Sequence, residues 1–287
     1  MTNTLRKLET GFNSIAGAAV DAKGKLYFID RWFHRIYGWS AEEGLGIVHD
    51  ATFDPVNLAV DRSGNLLVLS SAGQDASVYS IRPGKLNEVR LIEPTPIRAR
   101  RTAAVLLPVN SWHNGEFRDR IDPRTYQYPT MAEQFASEVG EPKTHEYVSP
   151  DGSLVLPAFR VWNQGALDTT GWRWSDTLDT HGFVSARPGE RVFVTNGSEN
   201  RTYSGLVGDA GTLTDLRPFA NRGGESVARD ASGNVYVANG QVFVYAPDGR
   251  PLRTIEVPER PLQLIFGGPE GRTLFILAHR SLYALEV

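Results

Sequence analysis

The sequence predicts an all-β fold, a six-bladed β-propeller formed as one domain over residues 1–287, with an insertion between the second and third recognisable blades. Three observations predict it. A strand–turn–strand unit recurs along the chain, most of its turn glycines are about 40 residues apart, and a further strand follows the unit in most copies. A period near 40 residues is that of a four-stranded propeller blade.

The first copy runs from Ala18 to Asp30 and carries Asp21-Ala22-Lys23-Gly24 as its turn. The second spans Leu58 to Leu69 around Gly64, and the third spans Tyr147 to Leu156 around Gly152. The fourth covers Phe183 to Val194 with Gly189, the fifth Ser226 to Ala238 with Gly233, and the sixth Leu264 to Leu277 with Gly271. Glycine supplies the positive φ that such hairpin turns need. The strand after each turn is β-branched or aromatic, as in Val235-Tyr236-Val237, which suits a buried strand. Third strands are legible at Arg35–Trp39, Ser77–Ile81, Gln241–Tyr245 and Ser281–Leu285. The last copy has three strands before the chain ends, and residues 4–9 could supply its fourth, which would close the ring without a long open edge. A β-sandwich with irregular hairpins is the competing architecture, but a sandwich has no reason to repeat a whole motif.

The interval between Gly64 and Gly152 is about twice the others. Residues 92–143 lie within it, rich in proline and arginine, with a candidate short helix from Met131 to Val139. They read as an insertion or lid in preference to a degenerate seventh blade, since no strand–Gly turn–strand copy is visible there.

Composition narrows the chemistry. The chain has no cysteine, which excludes disulfides, thiolate nucleophiles and thiolate metal sites. A net charge of −3 gives no reason to expect a nucleic acid or an anionic membrane as partner. No apolar run is long enough to span a bilayer, and the polar start lacks the core of a signal peptide. A cytoplasmic location is expected, or a periplasmic or secreted one if a leader was removed. No nucleophile elbow, phosphate-cradling loop or dinucleotide fingerprint is present. The expected partner is a small-molecule substrate, with the oligomeric state left open.

In a propeller the inner strands of all blades start near one mouth of the channel, so residues just before each repeat converge there. Those positions hold Ala16, Asn57, Thr144 and His145, His181, and Glu225. His145, His181 and Glu225 form a competent ligand set for one divalent ion, with zinc or another first-row metal favoured over calcium. Asn57 is placed to orient substrate or water. His113, in the 92–143 segment, could reach over the channel as an acid or base. Trp172 and Trp174 could stack on a sugar ring. Each has a plainer alternative: the histidines bonded to backbone, Glu225 paired with an arginine, His113 on the surface, the tryptophans packed between blades.

The segment Phe266-Gly267-Gly268-Pro269-Glu270-Gly271-Arg272-Thr273-Leu274-Phe275-Ile276 resembles the final-blade motif of the senescence-marker-protein/gluconolactonase/luciferin-regenerating-enzyme family. The copies at Asp21, Asp61 and Asp230 resemble that family's repeated unit. The resemblance covers most of the chain except residues 92–143. It implies a six-bladed propeller with one divalent metal in the channel, and in many members hydrolysis of sugar lactones or related esters. It also implies ligands at positions matching Ala16, His181 and Glu225, where the family has Glu, Asn and Asp. Ala16 has no donor atom, which is this chain's departure from the pattern.

The expected function is therefore a metal-dependent hydrolase of the lactonase or esterase type, acting on a sugar lactone or related carbohydrate-derived molecule. A non-catalytic propeller that binds a ligand or protein is the alternative, and metal-assisted carbohydrate lyase or isomerase chemistry a further one.

Overall fold

In the computed structural model, the described residues are 4–50, 55–60, 64–70, 77–85, 89–92, 104–109, 145–148, 154–158, 161–162, 165–166, 182–186, 191–196, 200–207, 213–223 and 225–287. Within them every regular element is a strand.

In chain order, β1 is Arg6–Thr10, and β2 Ile15–Val20, β3 Leu26–Asp30, β4 Arg35–Ser40 and β5 Gly44–Asp50 make one antiparallel sheet in sequential order. A second such sheet is β6 Pro55–Val60, β7 Leu66–Ser70, β8 Ser77–Ile81 and β9 Val89–Ile92. Strands β10 Ala104–Val109, β11 His145–Val148 and β12 Leu154–Ala158 follow, then the short pair β13 Val161–Trp162 and β14 Gly165–Ala166, and β15 Gly182–Ala186. A three-stranded sheet comprises β16 Arg191–Asn196, β17 Arg201–Val207 and β18 Leu213–Ala220. The next sheet is β19 Ser226–Arg229, β20 Val235–Asn239, β21 Gln241–Tyr245 and β22 Pro251–Ile255. The last holds β23 Pro261–Gly267, β24 Thr273–Ala278 and β25 Ser281–Glu286, with β1 from the other end of the chain paired antiparallel to β25.

The turn between inner strands has one design in the first and fifth copies. Asp21 accepts hydrogen bonds from the backbone N–H of Lys23 and Lys25 and from the Tyr27 hydroxyl. Asp230 accepts from the N–H and side-chain amide of Asn234 and from the Tyr236 hydroxyl. Gly24 and Gly233 close these turns at φ +83° and +86°. The repeated aspartate is thus a turn-builder that also satisfies a buried tyrosine.

Hydrophobic clusters fill the spaces between neighbouring sheets. Ala220 of β18 packs with Val235, Val237 and Tyr245; Tyr236, Val242 and Val244 pack with Leu274, Ile276 and Tyr283. Phe275 and Leu277 pack with Leu26 and Phe28, and Ile29 and Ile36 with Leu58, Leu66 and Val68. Five sheets therefore stack in an arc in which the N- and C-terminal segments are neighbours. At one end of the strands the Gly268 N–H donates to the Gly24 carbonyl at 3.0 Å, joining the β2–β3 and β23–β24 turns.

The middle of the chain departs from this pattern. The third copy forms its hairpin, β11 with β12. The fourth does not: β15 pairs with β10, while β16 begins the three-stranded sheet. The edge hydrogen bonds of β15 are taken by β10, a strand inside the segment read as an insertion, and β10 also runs parallel to β12. The candidate helix over Met131–Val139 lies outside the described residues.

Candidate active site

The Gly24–Gly268 contact fixes which ends of the strands share a face. At the opposite ends lie the starts of β2 and β23 and the ends of β3 and β24, and the start of β19 joins them: Ser226 Oγ accepts a hydrogen bond from the Leu264 N–H at 3.1 Å. This end of the sheets, the mouth, carries Ala16, Asp30 and the 31–34 loop, Glu225, Arg260 and His279.

Glu225 is the one predicted ligand whose side chain is described. It sits immediately before β19, only 4% exposed, and its carboxylate accepts a short hydrogen bond from the Arg260 guanidinium. Arg260 stands immediately before β23, and its side chain is 58% exposed. Ala16 is buried in β2 opposite Ile29. Asn57 lies within β6 opposite Leu69, and His145 opens β11 opposite Ala158; only their backbones are described. His113, Thr144, His181, Trp172 and Trp174 lie outside the described residues. Among the described residues no group of three His, Asp or Glu side chains is placed to hold a metal ion. The described donors do not fit one as they stand: Ala16 brings no ligand atom, and the carboxylate of Glu225 is engaged by a cation that would repel another.

Sequence reasoning passed over three features of this mouth. Asp30 is 1% exposed and accepts hydrogen bonds from the N–H of Asn13 and of Trp32. Burial pushes its pKa up, against the opposing pull of those N–H donors and of Arg35. Its carboxylate pins the loop that carries Trp32 and Phe33, which are 73% and 51% exposed. Two exposed aromatics adjacent in one loop suit a sugar ring or other flat face. The signal in the sequence was the Trp-Phe pair directly after a buried strand; strand periodicity hid it, because the pair belongs to the loop. The third feature is His279, after β24. Desolvation lowers its pKa, assisted by the charges of Arg260 and Arg280 and opposed by Glu259, so the imidazole is neutral near pH 7. No motif announced it, since Arg260, whose charge acts on it, precedes it by a whole hairpin.

Residues 180–280 match the SMP-30/gluconolactonase/LRE-like region, the family that the sequence resembles. No curated protein matches the chain in sequence. Among solved structures, a gluconolactonase from Xanthomonas campestris aligns with 99% of this chain and 89% of its own, at 18% identity and a TM-score of 0.62. A calcium-binding protein, regucalcin, from Agrobacterium tumefaciens aligns over 99% and 95% at 13% identity and a TM-score of 0.60. A luciferin-regenerating enzyme aligns over 99% and 95% at 11% identity and a TM-score of 0.59. These likenesses establish an all-β, propeller-like fold of this type. No helix of the described residues is long and apolar enough to cross a membrane.

Proposed function

Because residues 180–280 match the SMP-30/gluconolactonase/LRE-like region, we propose that this chain is a lactonase-type hydrolase, opening a small cyclic ester of carbohydrate origin with water. The observation that carries the reading is the Glu225–Arg260 pair at the mouth where the inner strands begin. Water adds to the lactone carbonyl carbon, and negative charge develops on the carbonyl oxygen. A guanidinium held in place by a buried carboxylate is suited to stabilise that charge. The ring C–O bond then breaks, the alkoxide takes a proton, and a hydroxy-carboxylate leaves. His279, neutral and within the field of Arg260, is a group on this mouth suited to accept the proton of the attacking water.

Asn57, Trp172, Trp174 and His113 remain proposals: the first to orient water, the tryptophans to stack on the ring, the histidine to act as acid or base from the 92–143 segment. Six blades, with the 92–143 segment as an insertion or lid, are likewise part of this reading. The metal-assisted form would draw its ion from His145, His181 and Glu225, and requires Glu225 to exchange Arg260 for that ion. Ala16 favours a second reading, a propeller that binds the same class of molecule without turning it over.

A panel of aldonolactones and small esters, followed by acid release, tests the hydrolase. Ring opening above the buffer rate is expected for at least one sugar lactone. No turnover on any member of the panel removes the hydrolase reading.

A further inference from the structure

We infer that Arg260, anchored by Glu225, is the binding residue for a carboxylate-bearing ligand at this mouth, and that Glu225 serves this guanidinium in place of a metal ion. The inference deepens the lactonase reading and names its ligand class, a hydroxy-carboxylate.

The two halves of the ion pair are unequally placed. The carboxylate is inside the protein and the guanidinium is 58% exposed. A buried carboxylate is costly, and a purely structural clamp between β19 and β23 could be made more cheaply with apolar side chains. What the carboxylate achieves is orientation. A guanidinium has five N–H donors in a fixed plane; the bond to Glu225 uses one of its nitrogens, and the side chain is more than half exposed. Such a fork recognises a second carboxylate in two-point fashion, which a lysine cannot do.

The surroundings agree. Arg280 lies on the same side, and its charge together with that of Arg260 bears on His279. Glu259, the carboxylate whose charge bears on His279, is already committed: it accepts hydrogen bonds from the Arg280 N–H at 3.0 Å, Ser281 Oγ at 2.5 Å and the Tyr283 hydroxyl at 3.0 Å, and lies 3.8 Å from Lys7 Nζ. A divalent ion on Glu225 would stand against the Arg260 cation with no carboxylate at position 16 to help hold it, whereas an anion meets donors that are already aligned.

The test is calorimetric titration of the full chain with gluconate, with glucose as the neutral control and zinc chloride as the metal probe. Gluconate is expected to bind and glucose not to, with affinity falling as salt is raised. Arg260→Ala should weaken gluconate binding roughly tenfold or more, and Arg260→Lys should recover only part of it. Glu225→Gln should weaken gluconate binding without changing the zinc isotherm. Thermal melts of each variant separate lost binding from lost folding, since a structural clamp would lower the melting temperature and leave the affinity of the folded protein intact. Unchanged gluconate affinity in folded Arg260→Ala overturns the inference. So does absence of gluconate binding to the wild type, or a stoichiometric zinc site that Glu225→Gln abolishes. Failure of the lactone panel with Arg260-dependent gluconate binding would remove the hydrolase and leave the carboxylate site standing.

Discussion

Asp230 shows how much one side chain does in a blade. Its two oxygens receive the Asn234 N–H at 2.8 Å, the Asn234 amide at 2.9 Å and the Tyr236 hydroxyl at 3.2 Å. Tyr236 is buried, and its hydroxyl also meets Arg253. Removing the carboxylate leaves the Asn234 N–H without its acceptor and loosens the turn that sets the register of β19 on β20. Asp230→Ala is therefore expected to destabilise the fold by about 1–3 kcal/mol, read as a lower denaturation midpoint with an unchanged slope. The repeated aspartate was legible in the sequence because its work is local, between residues four and six apart. Its role was not, since the same residue type in the same repeat could have faced a ligand.

At the scale of the element, Glu259 fastens the connection between β22 and β23 to the final sheet. Burial raises its pKa, but hydrogen bonds from Ser281, the Arg280 N–H and Tyr283, with the nearby Lys7 charge, outweigh this and hold it below the usual glutamate value of 4.5. A folded-state pKa below the unfolded one means that the contribution is present above pH 4.5 and is lost as pH falls through the folded value. Glu259→Gln should flatten the acid side of the stability–pH curve and leave the alkaline side as it was, measured by denaturant midpoints across the pH range. If the two proteins lose stability in parallel below pH 4.5, Glu259 does not govern that limb. Lys7 belongs to β1, so this carboxylate also touches the strand that brings the N-terminus onto the C-terminal sheet.

Across the whole molecule, the first and last sheets meet through backbone. Gly268 N–H donates to Gly24 O, and a Cβ built on Gly24 would lie 2.1 Å from that neighbour's carbonyl oxygen. Gly24 also has φ +83°, a region that costs other residues energy before any clash. Gly24→Ala is expected to cost at least about 1–3 kcal/mol from backbone strain alone, and more because rigid backbone cannot yield. The reading is a lower melting temperature, with Gly64→Ala, whose Cβ meets open space at φ +78°, as the comparison that isolates strain from contact. Gln263 makes a second tie between the same sheets, accepting the Ala18 N–H at 2.9 Å.

What the sequence by itself determined was the repeating unit: strands near the predicted positions, turn glycines with positive φ at 24, 64, 233 and 271, and the turn-building aspartates Asp21 and Asp230. Those features depend on contacts between residues a few positions apart, so periodicity and turn chemistry report them directly. What only the tertiary structure decided was the company each candidate keeps. Glu225 and Arg260 are 35 residues apart and meet because β19 and β23 lie side by side; spacing along the chain carries no record of that. The two strands of the fourth copy joined different sheets, because β10 supplied β15 with a partner that no local pattern announced. The repetition persists in the arc of stacked sheets, while the chemistry at its mouth was set by which sheets became neighbours.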